Sequence, residues 1–260
     1  MISGNETVAV FEEVVRLQRS GEACVLATVI ASRGSSPRKA GARMVVRTDG
    51  SSIGTVGGGK LEQEVVAASQ AALASGSGPE TRTFVLDESF GHACGGELTV
   101  HLEPLGGIPR LIVCGAGHVG QAVVTLAAFA GFRVCAVDDR PDFVDAGRLP
   151  EAAELHAGDY AATIASLGIS AEDSVVIATP AFASDLAAVR ATLATPAAFV
   201  GVIGSLRKKE TLFKDLAAAG ATFADLERLT IPVGLPIGGN APREIAVSIV
   251  AQLIERRHRA

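Results

Sequence analysis

The chain has no tryptophan, one tyrosine and only four cysteines in 260 residues. Cys24, Cys94, Cys114 and Cys135 stand far apart and form no C-x-x-C pair, so neither a zinc knuckle nor a disulfide framework is indicated. Positive charge is also lacking: the formal net charge is −5, whereas a nucleic-acid binder needs a basic face to displace phosphate counterions. The longest apolar stretch, Ala122 to Phe132, falls well short of the ~20 residues that span a bilayer. The opening MISGNETVAVFEEVV carries acids where a secretion signal needs bases. These absences lead to the expectation of a cytoplasmic protein with no membrane or nucleic-acid partner.

What is abundant is small and aliphatic. Hydrophobic residues make up 48% and glycine numbers 29, which supplies a core and suits a closely packed α/β protein. The length fits one large domain or two small ones. Residues 1–105 read as a compact α/β domain: a helix from Asn5 to Ser20, strands at Cys24–Ile30 and Arg43–Arg47, a helix from Leu61 to Ala74, and a strand pair at Thr81–Leu86 and Glu97–Leu102. PLGGIP (104–109) reads as a hinge. Residues 110–260 alternate strand and helix: strands at Leu111–Cys114, Arg133–Asp138, Ser174–Ala178 and Ala198–Ile203, with helices between and a last helix from Pro242 to about Arg256. That alternation predicts parallel strands with crossover helices, a doubly wound Rossmann-like domain.

The strongest motif is LIVCGAGHVG (111–120), in which a strand runs into glycines and then a helix. Gly115 permits the tight turn, Gly117 lets backbone approach a pyrophosphate, and Gly120 allows close helix–strand packing. Asp138 ends the next strand, where a carboxylate accepts ribose hydroxyls. A second glycine run, Gly54-Thr-Val-Gly57-Gly58-Gly59-Lys60-Leu61, matches a P-loop except at its end, where Leu61 replaces the Mg²⁺-binding Ser or Thr. An ATPase is thereby disfavoured; a phosphate or pterin contact by bare backbone and a close-packed turn remain open.

Ser32 to Gly41 (SRGSSPRKAG) gathers hydroxyls and cations in one loop, suited to an anion or simply to water. Cys94, in GHACGG (91–96), is flanked by glycines whose N–H groups favour a thiolate and hence a soft metal, although isolated cysteines are usually inert. The other three cysteines fall in expected strands and read as core, and His118 reads as a local contact. Gly201 to Lys209 ends a strand and opens a helix, where doubly wound folds place ligands. The loop Pro232 to Pro242 either closes over a site or crosses the surface.

Together these pieces resemble the xanthine dehydrogenase accessory protein family, XdhC/CoxI. The segments that carry the resemblance are ATVIASRGSSPRKAGARM (27–44), GTVGGGKLE (54–62), HACGGELTVHLEP (92–104), CGAGHVG (114–120), VDDRPDF (137–143), IGSLRKK (203–209) and PIGGNAPREIAVSI (236–249), in order along nearly the whole chain. The resemblance implies an accessory protein that binds molybdenum cofactor (molybdopterin), protects it during sulfuration and delivers it to a molybdenum hydroxylase apoenzyme such as xanthine dehydrogenase. A cysteine desulfurase partner and a homodimer are further expectations. Ser35, Ser36, Arg38, Gly57, Gly58, Gly59, Lys60 and Cys94 fall at family motif positions, as do Gly115, Gly117, Gly120, Asp138, Ser205, Arg207 and Lys208. Cys94 is the expected metal contact. The chain departs from the family pattern at Ala178-Thr179-Pro180-Ala181, at Arg228 to Pro232, and at Leu206, all in the Rossmann half. Two other readings stay open: an NAD(P)-dependent oxidoreductase, with NAD(P) or another adenine nucleotide at the glycine turn, and a protein-binding scaffold.

Overall fold

A computed structural model describes residues 4–76, 78–86 and 96–258. The chain divides into two units, Met1–Ile108 and Pro109–Ala260.

The first unit contains α1 (Gly4–Ser20), β1 (Cys24–Gly34), β2 (Arg43–Arg47), β3 (Ser52–Gly54), α2 (Gly59–Ser75), β4 (Glu80–Leu86) and β5 (Gly96–Leu105). Among the described residues its strands form one antiparallel sheet in the order β3-β2-β1-β5-β4. Successive side chains on a strand point to opposite faces. Val25, Ala27 and Val29 therefore pack with Met44, Val100 and Leu102 against Leu61 and Val65 of α2. Cys24, Leu26 and Val45 face the other way, onto Val10 and Leu17 of α1. With both faces covered, β1 reads as a continuous apolar run rather than an alternating one.

Two elements extend further than their composition suggests. The β1–β5 register shifts between Val29 and Ala31, leaving Ile30 as an extra residue, half exposed; β1 then continues to Gly34, paired with Gly96. The segment Ser32–Gly34, expected in a loop, is thus strand. At the other end, β5 runs through Pro104 and Leu105, paired with Val25 and Cys24, so this part of the expected hinge is also strand. Proline is accommodated there because β4 pairs with β5 only as far as Leu102, and past that point one side of β5 needs no N–H donor.

The second unit contains β6 (Arg110–Cys114), α3 (His118–Phe129), β7 (Arg133–Asp138), β8 (Glu154–Ala157), α4 (Tyr160–Ser166), β9 (Ser174–Ile177), α5 (Phe182–Leu193), β10 (Phe199–Val202), α6 (Leu206–Ala218), α7 (Phe223–Glu227), β11 (Leu229–Thr230) and α8 (Pro242–Arg257). The strands form a parallel sheet in the order β11-β10-β9-β6-β7-β8. The chain winds outward from β6 through β7 to β8, then crosses back to β9 and continues outward on the other side. The direction reverses between β6 and β9, the crevice where doubly wound folds bind ligands. Leu111, Val113 and Val134 pack with α3 and α8 on one face, and Ile112, Val175 and Ile177 with α4, α5 and α6 on the other. No helix among the described residues is long and apolar enough to cross a membrane.

Candidate functional site

The three glycines of the turn between β6 and α3 have distinct local geometries. Gly115 adopts φ +102°, and a Cβ there would lie 2.4 Å from the Ala178 carbonyl oxygen at the end of β9. A Cβ on Gly120 would lie 1.8 Å from the Gly115 oxygen, so α3 can approach the strand only with glycine at that position. A Cβ on Gly117 would meet nothing within 4 Å. Gly117 is also the N-cap of the twelve-residue α3 and provides no side-chain cap, so no capping side chain claims the first N–H groups of that helix.

Asp138, expected to hold a ribose, is fully buried and already engaged. Its Oδ2 accepts the Ala116 N–H at 2.7 Å and Arg140 Nη2 at 2.9 Å; its Oδ1 accepts the Arg140 N–H at 3.0 Å and Nε at 2.8 Å. Burial by itself would raise the carboxyl pKa, but the Arg140 side chain and the two backbone N–H groups outweigh it and hold the group below its ordinary value. As placed here, Asp138 braces the glycine turn and offers no open oxygen to a ribose. Arg140 lies over the Phe143 ring, its Cζ 3.6 Å from the centroid, and Arg148 Cζ lies 4.6 Å from the same centroid.

At the ends of β9 and β10, a hollow of about 440 Å³ is lined by Thr179, Asp185, Ser205, Arg207 and Lys208, among others. Ser205 caps α6, its hydroxyl accepting the Lys208 N–H at 3.2 Å. Lys208 Nζ donates to the Ile203 carbonyl at 2.7 Å and pairs with Asp185, whose side chain is 1% exposed. A Cβ on Gly204 would collide with the Lys208 stem at 2.4 Å, so glycine makes room for that reach. Thr179 Oγ1 donates to the other Asp185 oxygen at 2.7 Å. Arg207 is exposed at the mouth. Sequence reasoning singled out Ser205, Arg207 and Lys208 but gave Thr179 and Asp185 no role. The available signal was an acid in the first turn of a helix that follows a parallel strand.

In the first unit, the basic loop and the second glycine turn come together. Gly57, Gly58 and Gly59 all have positive φ and lead into α2, with Gly58 as its N-cap. A Cβ on Gly57 would sit 2.7 Å from Pro37 Cγ, whereas Gly58 and Gly59 face open space. Ser36 donates to the Arg38 carbonyl at 3.0 Å, and Arg38 reaches Glu6 at 3.5 Å. Gly96 belongs to the same end of the sheet, since a Cβ on it would lie 2.1 Å from the Ser35 carbonyl oxygen. Ser35 and Lys60 are exposed. The helix terminus is partly claimed from within: Glu62 accepts the Gly58 N–H at 2.9 Å and the Thr55 hydroxyl.

Residues 111–253 match the model of the XdhC Rossmann domain, and residues 17–84 match that of the XdhC and CoxI family. The chain belongs to the XdhC family. It is 33% identical over 257 residues to an uncharacterized protein, YqeB, of Escherichia coli K12, covering 96% of this chain and 47% of that protein. It is 30% identical over 151 residues to a probable xanthine dehydrogenase subunit of Bacillus subtilis, covering 58% of this chain and 44% of the relative. The chain thus spans less than half the length of these curated relatives. A crystal structure described as a xanthine dehydrogenase from Bacillus halodurans shares the fold, with a TM-score of 0.54, 24% identity and 96% coverage of both chains.

For this XdhC chain, Cys94 lies outside the described residues. Cys24, Cys114 and Cys135 are buried, as their strand positions suggested. Burial pushes the Cys24 thiol up to about 11, so it stays protonated and inert. His118 is exposed, beside the hollow that α3 shares with the start of α8. The loop after Pro232 is pinned along α8: the Gly234 N–H donates to Gln252 at 2.8 Å and the Ser248 hydroxyl to the Leu235 carbonyl at 2.6 Å.

Proposed function

We propose that this chain is an accessory protein of molybdenum hydroxylases that holds molybdenum cofactor and passes it to an apoenzyme such as xanthine dehydrogenase. Family membership supports the accessory role. The observation that carries the cofactor reading is the meeting of the Ser35–Arg38 loop with the Gly57–Gly59 turn at the start of α2. A phosphate-bearing pterin fits such a place. Gly58 and Gly59 leave space that a Cβ would reduce, Gly59 and Lys60 are the first residues of the helix, and Arg38 and Lys60 bring cations. In this role Ser35, Ser36, Arg38 and Gly57 to Lys60 bind and orient the phosphate end. When bound, the cofactor supplies the molybdenum centre that the recipient enzyme uses. Cys94 is the proposed thiol contact to the metal, and a cysteine desulfurase is the proposed source of sulfur.

The Rossmann turn supports a second ligand, an adenine nucleotide or NAD(P), with its pyrophosphate over Gly117 and the start of α3. The corresponding alternative, an NAD(P)-dependent oxidoreductase, draws on the same turn. Equilibrium binding of freshly released molybdenum cofactor to the full chain, under anaerobic conditions, separates these readings. Uptake that Arg38→Ala weakens and NAD(P) does not compete supports the accessory reading. No uptake, together with NAD(P)H turnover on a small substrate, would overturn it.

A further inference from the structure

On one edge of the parallel sheet, β7 and β8 place three side chains able to bind metal together. Strand pairing sets Cys135 opposite Glu154, and His156 follows two residues later on the same face of β8. The Cys135 sulfur, a Glu154 oxygen and a His156 ring nitrogen all lie within 4.8 Å of one another. His156 Nε2 and Glu154 Oε2 are 3.4 Å apart. Tetrahedral zinc, with bonds of about 2.0–2.1 Å to N and O, holds such a pair about 3.3 Å apart. Cys135 is buried, Glu154 and His156 are partly exposed, and β8 is the edge strand, so a fourth position opens to water.

We infer that Cys135, Glu154 and His156 form a binding site for one zinc-class divalent ion, with solvent as the fourth ligand. The mixed sulfur, nitrogen and oxygen donor set selects a borderline ion over magnesium or calcium, which require oxygen shells. Two guanidinium groups flank the cluster, so a bound cation relies on the thiolate and the carboxylate for its charge balance. Arg133 holds Glu154 Oε1 at 2.8 Å, which leaves Oε2 facing His156. Arg110 Nη2 donates to that same Oε2 at 3.3 Å and Nη1 lies 3.6 Å from Asp173, while its buried Nε–H has no acceptor, so metal entry shifts Arg110 from the carboxylate towards the thiolate. Burial and the neighbouring Glu154 carboxylate push the Cys135 thiol up to about 12, only partly offset by Arg110, so its proton leaves only as a metal–sulfur bond replaces it. Metal entry displaces the thiol proton to water, forms the metal–sulfur bond and gives Arg110 an anion to face.

Cobalt(II) titration of the metal-stripped full chain tests the inference, because a cobalt–thiolate bond produces a charge-transfer absorption that nitrogen and oxygen ligands do not. The expected result is one equivalent of Co²⁺ bound with that band, displaced by Zn²⁺. Cys135→Ser should remove the band, and His156→Ala, at a partly exposed position, should weaken binding more than about tenfold. Absence of the band in the wild-type chain, its survival in Cys135→Ser, or unchanged affinity in His156→Ala would each overturn the assignment.

Discussion

Arg140 closes over Asp138 as a two-pronged clamp, Nε 2.8 Å from one carboxylate oxygen and Nη2 2.9 Å from the other. The pair ties the end of β7 to the glycine turn through the Ala116 N–H. Asp138→Ala is therefore expected to destabilise the chain by about 2–3 kcal/mol, since a charge-assisted network is lost and a buried N–H is left unpaired. Urea denaturation measures this. An unchanged midpoint would mean that the clamp contributes nothing.

The glycines of the turn separate architecture from ligand binding. Gly120→Ala should cost about 3 kcal/mol, because its Cβ would overlap the Gly115 carbonyl oxygen. Gly117→Ala should cost at most about 1 kcal/mol, the difference between two residues at an N-cap. Gly117→Val, by filling the open space, should abolish adenine nucleotide or NAD(P) binding while the chain stays folded. Thermal melting combined with calorimetric titration checks all three variants. Nucleotide heats that survive in Gly117→Val would place any such ligand elsewhere.

Glu62 sets a carboxylate at the helix terminus where a phosphate is proposed to bind. Glu62→Gln keeps the shape and removes the repulsion, so anion affinity should rise, by roughly three- to tenfold for about 1 kcal/mol of repulsion at a partly exposed site. Titration with inorganic phosphate provides the measurement. Weaker binding in the variant would show that the anion does not approach Gly58.

Lys208 and Asp185 form a pair in which only the lysine reaches solvent. Lys208→Met should destabilise the second unit by about 3 kcal/mol, because a carboxylate 1% exposed then loses its cation and keeps the neutral Thr179 hydroxyl. Lys208→Met combined with Asp185→Asn should recover part of that loss. A double-mutant cycle in urea decides between coupled and independent effects.

Acid should weaken the first unit through Glu13. Its hydrogen bonds from Arg16 and Arg47 lower the carboxyl pKa from 4.5 to about 2. A depressed folded-state pKa means that the contribution is present above pH 4.5 and is lost as the pH falls towards 2. Glu13→Gln should therefore be less stable than wild type at neutral pH and flatter in its acid profile over that window. Parallel curves for the two proteins would remove Glu13 as the source.

Local pattern carried much of the architecture into the sequence. The apolar stretch at Cys24–Ile30, the strand–glycine–helix order at Leu111–Gly120 and the strand–helix alternation after it are all short-range signals, because periodicity and turn chemistry act within a few residues. The same holds for the cysteines at 24, 114 and 135, whose strand positions implied burial. Strands β3 and β11 left no comparable trace, since two or three residues carry too little periodicity, and β8, a half-exposed edge strand, lacks the buried apolar run that marks the equally short β9 and β10. The side-chain partnerships belong to the tertiary structure alone. Asp138 stands visibly at a strand end, but only folding turns Arg140 back onto it. Cys135 and His156 meet only because β7 and β8 pair in one register. Strand pairing and side-chain direction are long-range outcomes, decided by how the whole sheet packs its two faces.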